Sequence, residues 1–127
     1  MSTQPSKLYV WGGRVLTAIP VFMLAMSGVM KIMGGPDLAA GFDHLGWPVH
    51  TAIPLSVIEL GCTVIYLIPR TAVLGAILLT GYMGGALAAH LRIGEPWYIQ
   101  FLLGVMLWGG LYLRDARIRQ LIPLVKD

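Results

Sequence analysis

PLSVIELGCTVIYLIPRTAVLGAILLTGYMGGALAAHLR, residues 54–92, is the stretch whose reading decides the fold. Pro69-Arg70 divides it into two apolar arms of about twenty residues each, counting the first back to His50. At 1.5 Å per residue, that length crosses a ~30 Å hydrocarbon core. The spacing therefore predicts a pair of membrane-spanning helices folded back on each other. Glu59 is the one acidic residue well inside an apolar run. A carboxylate at that depth costs at least ~2.5 kcal/mol unless it is neutral, paired or hydrated. Ser56, Glu59, Thr63 and Tyr66 follow at helical spacing and draw a polar stripe that should face other helices and not lipid. The second arm carries Gly75, Gly81, Gly84 and Gly85, then Ala88 and Ala89. Such small residues let membrane helices approach closely, so this face is expected to pack tightly on a neighbour.

Working outward, two further apolar runs appear. Trp11 to Met33 predicts a first helix, bent at Pro20, where one backbone donor is missing. It is too long for a signal peptide and no small-x-small cleavage site follows it. Trp97 to Leu113 predicts a fourth helix, with Trp97, Tyr98 and Tyr112 as aromatic anchors. Between the first two helices, Gly34-Gly35-Pro36 and Gly46-Trp47-Pro48 mark turns, and Asp37 to Leu45 is amphipathic enough for a short interfacial helix. The polar first ten residues read as a fraying tail, and RDARIRQLIPLVKD at the other end reads as a solvated one. The whole is one all-α domain, residues 1–127, with transmembrane helices at about 11–33, 50–68, 71–91 and 97–113.

With 57% hydrophobic and 12% charged residues among 127, the chain carries more apolar surface than a soluble domain of this size can bury. The net charge of +3 does not point to nucleic acid, because the basic residues sit at the ends of apolar runs and form no patch. Four spans would gather Lys7, Arg14, Arg70, Arg114, Arg117, Arg119 and Lys126 on one side, leaving Lys31 and Arg92 opposite. The positive-inside rule then puts both termini in the cytoplasm.

HLGWP at 44–48, IELG at 58–61, IPRTAVLGAILLTGYMGGALAAHLR at 68–92 and LWGGLYLRDARIR at 107–119 closely resemble the DoxX-like family of small membrane proteins. The resemblance covers residues 12 to 123. It implies a four-helix bundle in a bacterial inner membrane. The wider DoxX group takes its name from a small subunit associated with a thiosulfate:quinone oxidoreductase, which implies a quinone-linked redox role. That group's pattern also has a lysine late in the first helix and a glutamate in the second, matching Lys31 and Glu59.

The chemistry-bearing residues converge on one end. Glu59 lies about nine residues, or ~13 Å, inward from His50. Lys31 and His90 end their helices near the same surface, with Ser27 one turn before Lys31 and Ser56 one turn before Glu59. Glu59, Lys31, His90, Ser56 and Ser27 are accordingly the predicted ligand or proton site; a structural ion pair that fixes helix packing is the alternative. The histidines show no HxxxH spacing, Cys62 stands alone, and no catalytic triad or nucleotide fingerprint appears, so no metal, haem or resident cofactor is indicated. Trp108 and Gly104 are expected to border an apolar groove. Two functions remain: an accessory subunit of a quinone-linked membrane oxidoreductase, or a proton-coupled carrier working as a dimer with Glu59 as its proton site. Lipid is a partner in either case.

Overall fold

The computed structural model describes residues 7–121. Six helices follow in order: α1 (Lys7–Met33), α2 (Pro36–Leu45), α3 (Ala52–Leu67), α4 (Ala72–Arg92), α5 (Tyr98–Arg114) and α6 (Ala116–Leu121). One-turn 3₁₀ segments at Val49–Thr51 and Pro69–Thr71 lead into α3 and α4. Pro54 falls in the first turn of α3, where a missing N–H costs little.

α1 packs against α3 and α5, and α4 packs against the same two, so the long helices close into a ring. Leu24, Tyr66, Ala76, Leu79, Leu107 and Leu111 fill its centre. Outside, the pattern is reversed from that of a soluble protein. Phe22, Val57, Ile77 and Phe101 are more than half exposed, a surface suited to lipid chains and not to water. The helical segments Lys7–Met33, Val49–Leu67 and Pro69–Arg92 are long and apolar enough to cross a membrane. α5 is shorter, at 17 residues.

Glycines determine where the helices meet most closely, and of the four expected in α4 only Gly75 is among them. A Cβ at Gly75 would overlap the backbone of Tyr66, so α3 and α4 touch main chain to main chain beside the Pro69 turn. A Cβ at Gly13 would stand 2.9 Å from the Gly110 carbonyl oxygen, which locks α1 to α5 at the same end. Around Gly81, Gly84 and Gly85, by contrast, a Cβ would meet no neighbouring helix within 4 Å. The expected close packing therefore holds at Gly75 and is overturned at Gly81, Gly84 and Gly85: spacing marks where a backbone can be approached, but not whether a neighbour is there.

Tyr66 ties the tight end together. Its hydroxyl donates to the Leu107 carbonyl at 2.5 Å and accepts from Arg114 Nη2 at 3.1 Å. The guanidinium also lies 5.5 Å from the Tyr66 ring centroid, a favourable cation–π geometry.

The ends of the chain also differ from expectation. α1 begins at Lys7, before Trp11, and the Arg119 guanidinium lies 5.6 Å from the Tyr9 ring. The RDARIR segment is not a solvated tail: Ile118 is buried, and Arg119 Nη1 donates to the Tyr112 and Leu113 carbonyls at 2.8 and 2.9 Å. These are final-turn carbonyls of α5 that lack partners within their own helix. The rest of the two expected tails, residues 1–6 and 122–127 with Lys126, lies outside the described residues.

Candidate functional site

At the opposite end from Tyr66 the helices stand apart. The polar stripe of α3 does face inward, with Ser56, Glu59, Thr63 and Tyr66 all at 3% exposure or less. Two of its hydroxyls serve their own helix: Ser56 donates to the Ile53 carbonyl and Thr63 to the Glu59 carbonyl, each at 2.7 Å. Glu59 reaches across to α1. Its Oε1 accepts from Lys31 Nζ at 3.0 Å and from Ser27 Oγ at 3.2 Å, while Lys31 Nζ donates to Ser27 Oγ at 2.6 Å. The one-turn offset of Ser27 and Lys31 puts both on the α1 face that meets Glu59. Tyr82 of α4 lies close to the same carboxyl group.

A cavity of about 920 Å³ opens beside this cluster. Ser27 and Lys31 line it from α1, Tyr82 and His90 from α4, and Phe42 from α2. Glu59 stands behind Lys31 and Tyr82 and is not in the lining. The glycines left without a neighbour find their use here, since Gly81 and Gly85 form a smooth wall with Ala86 and Ala89.

α2 covers the cavity. Gly34 and Gly35, at φ 70° and 113°, let the chain leave α1 and turn back, and Gly46, at φ 79°, ends α2 in the left-handed conformation. Two contacts tie α2 to the far side: His44 Nε2 meets Glu95 Oε1 at 2.5 Å, and an Arg92 guanidinium N–H donates to the Leu45 carbonyl.

Of the predicted residues, Ser27, Lys31 and Glu59 form one hydrogen-bonded group. His90 lines the same cavity, with Nδ1 bonded to the Ala86 carbonyl at 2.7 Å. Ser56 is buried on the same α3 face but spends its hydroxyl on Ile53. A second groove of about 500 Å³ runs between α4 and α5, and Gly104 and Trp108 border it as anticipated; Trp108 Nε1 donates to Thr80 Oγ1 at 2.7 Å. Sequence reasoning missed Tyr82 and the covering role of α2. Tyr82 was findable, because it follows Gly75 and Leu79 at helical spacing on the inward side of α4.

Residues 15–110 match the model of a family described as the DoxX-like family. No curated protein and no solved structure matches the chain.

Proposed function

The chain belongs to the DoxX-like family, and on that footing we propose that it is a small accessory subunit of a quinone-linked redox system in a bacterial inner membrane. The observation that carries this reading is the cavity beside Lys31. Its volume falls within the range of small-molecule sites, which are mostly apolar with a few placed polar groups. A quinone is a flat apolar ring whose carbonyl oxygens accept hydrogen bonds, and the Lys31 ammonium stands at the cavity wall to donate one.

In this reading the protein crosses the membrane four times. α5 rises ~26 Å at 1.5 Å per residue, close to the thickness of the hydrocarbon core, and packs on α1 and α4. Both termini and Arg70 face the cytoplasm with most of the basic residues. The cavity then lies in the outer half of the membrane.

The carrier reading fits the geometry less well. Glu59 is bonded to both Ser27 and Lys31 and is screened from the cavity, so an entering cation would have to displace a lysine to reach it. Titration of the detergent-solubilised protein with a short-chain ubiquinone, followed by tryptophan fluorescence, tests the proposal, because Trp47 lines the cavity. Saturable quenching that is abolished by Gly85→Leu is expected. Quenching that never saturates, or that survives a filled cavity, rejects the site.

A further inference from the structure

The hydrogen-bonding capacity left over in the cavity specifies more than a carbonyl. A lysine ammonium has three N–H donors. Ser27 Oγ and Glu59 Oε1 take two of those on Lys31, and among the described residues the third has no protein acceptor. His90 supplies the complement. The Ala86 carbonyl can only accept, so Nδ1 of His90 carries the hydrogen in their 2.7 Å contact. In the neutral ring Nε2 is then a bare acceptor. It sits across the ring from the nitrogen tied to the backbone of α4, and so faces away from that backbone in a side chain that lines the cavity.

The remaining charged and amide groups of the lining do not compete equally. Glu95 and His44 occupy each other, Asp37 is exposed on α2, and Gln100 Oε1, without a partner among the described residues, is buried out of reach of a ligand in the cavity. Between this donor on α1 and this acceptor on α4, neither with a further partner among the described residues, α4 contributes Gly81, Gly85, Ala86 and Ala89 to the lining, with Tyr82 the one bulky side chain among them. Such a wall admits a flat face against the helix.

We propose that the cavity selects a flat ring compound bearing both a carbonyl oxygen and a hydroxyl, the carbonyl accepting from Lys31 Nζ and the hydroxyl donating to His90 Nε2. This rests on the cavity being a ligand site, as proposed above, and deepens it: a ring ketone or quinone that also carries a hydroxyl is preferred over its unsubstituted counterpart. His90 is the specificity-determining residue. Lys31 holds any ring carbonyl and does not discriminate.

The test compares 9-fluorenone with 2-hydroxyfluorenone, two flat ketones that differ by one hydroxyl, in binding titrations on the full chain in detergent. The wild type should bind the hydroxylated probe about tenfold more tightly, the effect of one hydrogen bond in a dry site. His90→Ala should erase that preference while leaving 9-fluorenone binding as it was, and His90→Gln, which restores an acceptor, should recover part of it. Gly85→Leu should block both probes. Equal binding of the two probes by the wild type overturns this inference and leaves the cavity standing as a carbonyl site. Equal loss of both probes in His90→Ala also overturns it, since His90 would then only shape the cavity. Failure of both probes and of the short-chain ubiquinone to bind overturns the inference together with the proposed function.

Discussion

Lys31 Nζ lies 3.0 Å from Oε1 of Glu59, joining the end of α1 to the middle of α3 with the carboxylate side chain only 2% exposed. A pair in such surroundings is far more costly to break than to remove. Glu59→Gln leaves a half-buried ammonium with neutral acceptors, and truncating one partner of a buried pair typically costs ~3–5 kcal/mol. Lys31→Met should be comparably damaging. Replacing both should recover much of the loss, as thermal unfolding in detergent would show. Strictly additive losses would mean that the two side chains do not interact in the membrane.

The glycines of α4 should divide into two classes. Gly75→Ala drives a methyl group into the Tyr66 backbone, which cannot swing aside, and overpacking of this kind costs ~1–3 kcal/mol. Gly85→Ala meets open space, and alanine gains up to ~1 kcal/mol over glycine in a helix interior. The first variant should melt earlier and the second no earlier than the parent. A matching drop in both would return the Gly81–Gly85 face to the role of a packing surface.

Acid should loosen α6 before the rest of the molecule. Asp115 Oδ1 accepts the Arg117 backbone N–H at 2.9 Å, an N-cap geometry, and the Arg117 guanidinium bonds both carboxylate oxygens. These bonds hold Asp115 below the usual carboxylate range. With its pKa lower in the folded state, the cap contributes fully above the unfolded value near ~3.9 and is lost as pH falls through the depressed folded value. Asp115→Asn keeps the capping oxygen without the titration. Protection of the 116–121 amides, taken relative to their intrinsic exchange rates at each pH, should therefore fall at low pH in the parent but stay flat in the variant; a flat parent profile would exclude the mechanism.

The orientation is checked by single cysteines, in a chain whose Cys62 is replaced, at positions 3, 70 and 120 and at 40 and 93. The first group should resist an impermeant thiol reagent added outside intact cells, and the second should react. The reverse pattern would invert the protein and move the cavity to the cytoplasmic half.

Much of this architecture is legible in the residues themselves. The polar stripe of α3 carries its own periodicity, so its inward turn follows from sequence, and Lys31 and Ser27 follow from their one-turn spacing and shared depth. What spacing lacks is the identity of the neighbour. Gly75 and Gly85 look alike in a line of letters, yet one touches Tyr66 and the other faces empty space. Ser56 sits on the expected face, but a nearby backbone carbonyl outcompetes any distant partner for its hydroxyl, as is common for serine in helices. The role of α2 was hidden for a different reason. Its amphipathic pattern predicts a helix, while its place over the cavity depends on loop contacts from His44, Glu95 and Arg92 that no local pattern encodes.

The contact of Gly75 with Tyr66 makes α3 and α4 a pair of levers that share a fulcrum at the Pro69 end. His90 lies fifteen residues beyond Gly75, a lever arm of ~22 Å at 1.5 Å per residue. A change of splay of about 5° at the fulcrum would carry the imidazole about 2 Å relative to α3. The thickness of a single residue at the closed end of the bundle would thus set the width of the cavity at the other.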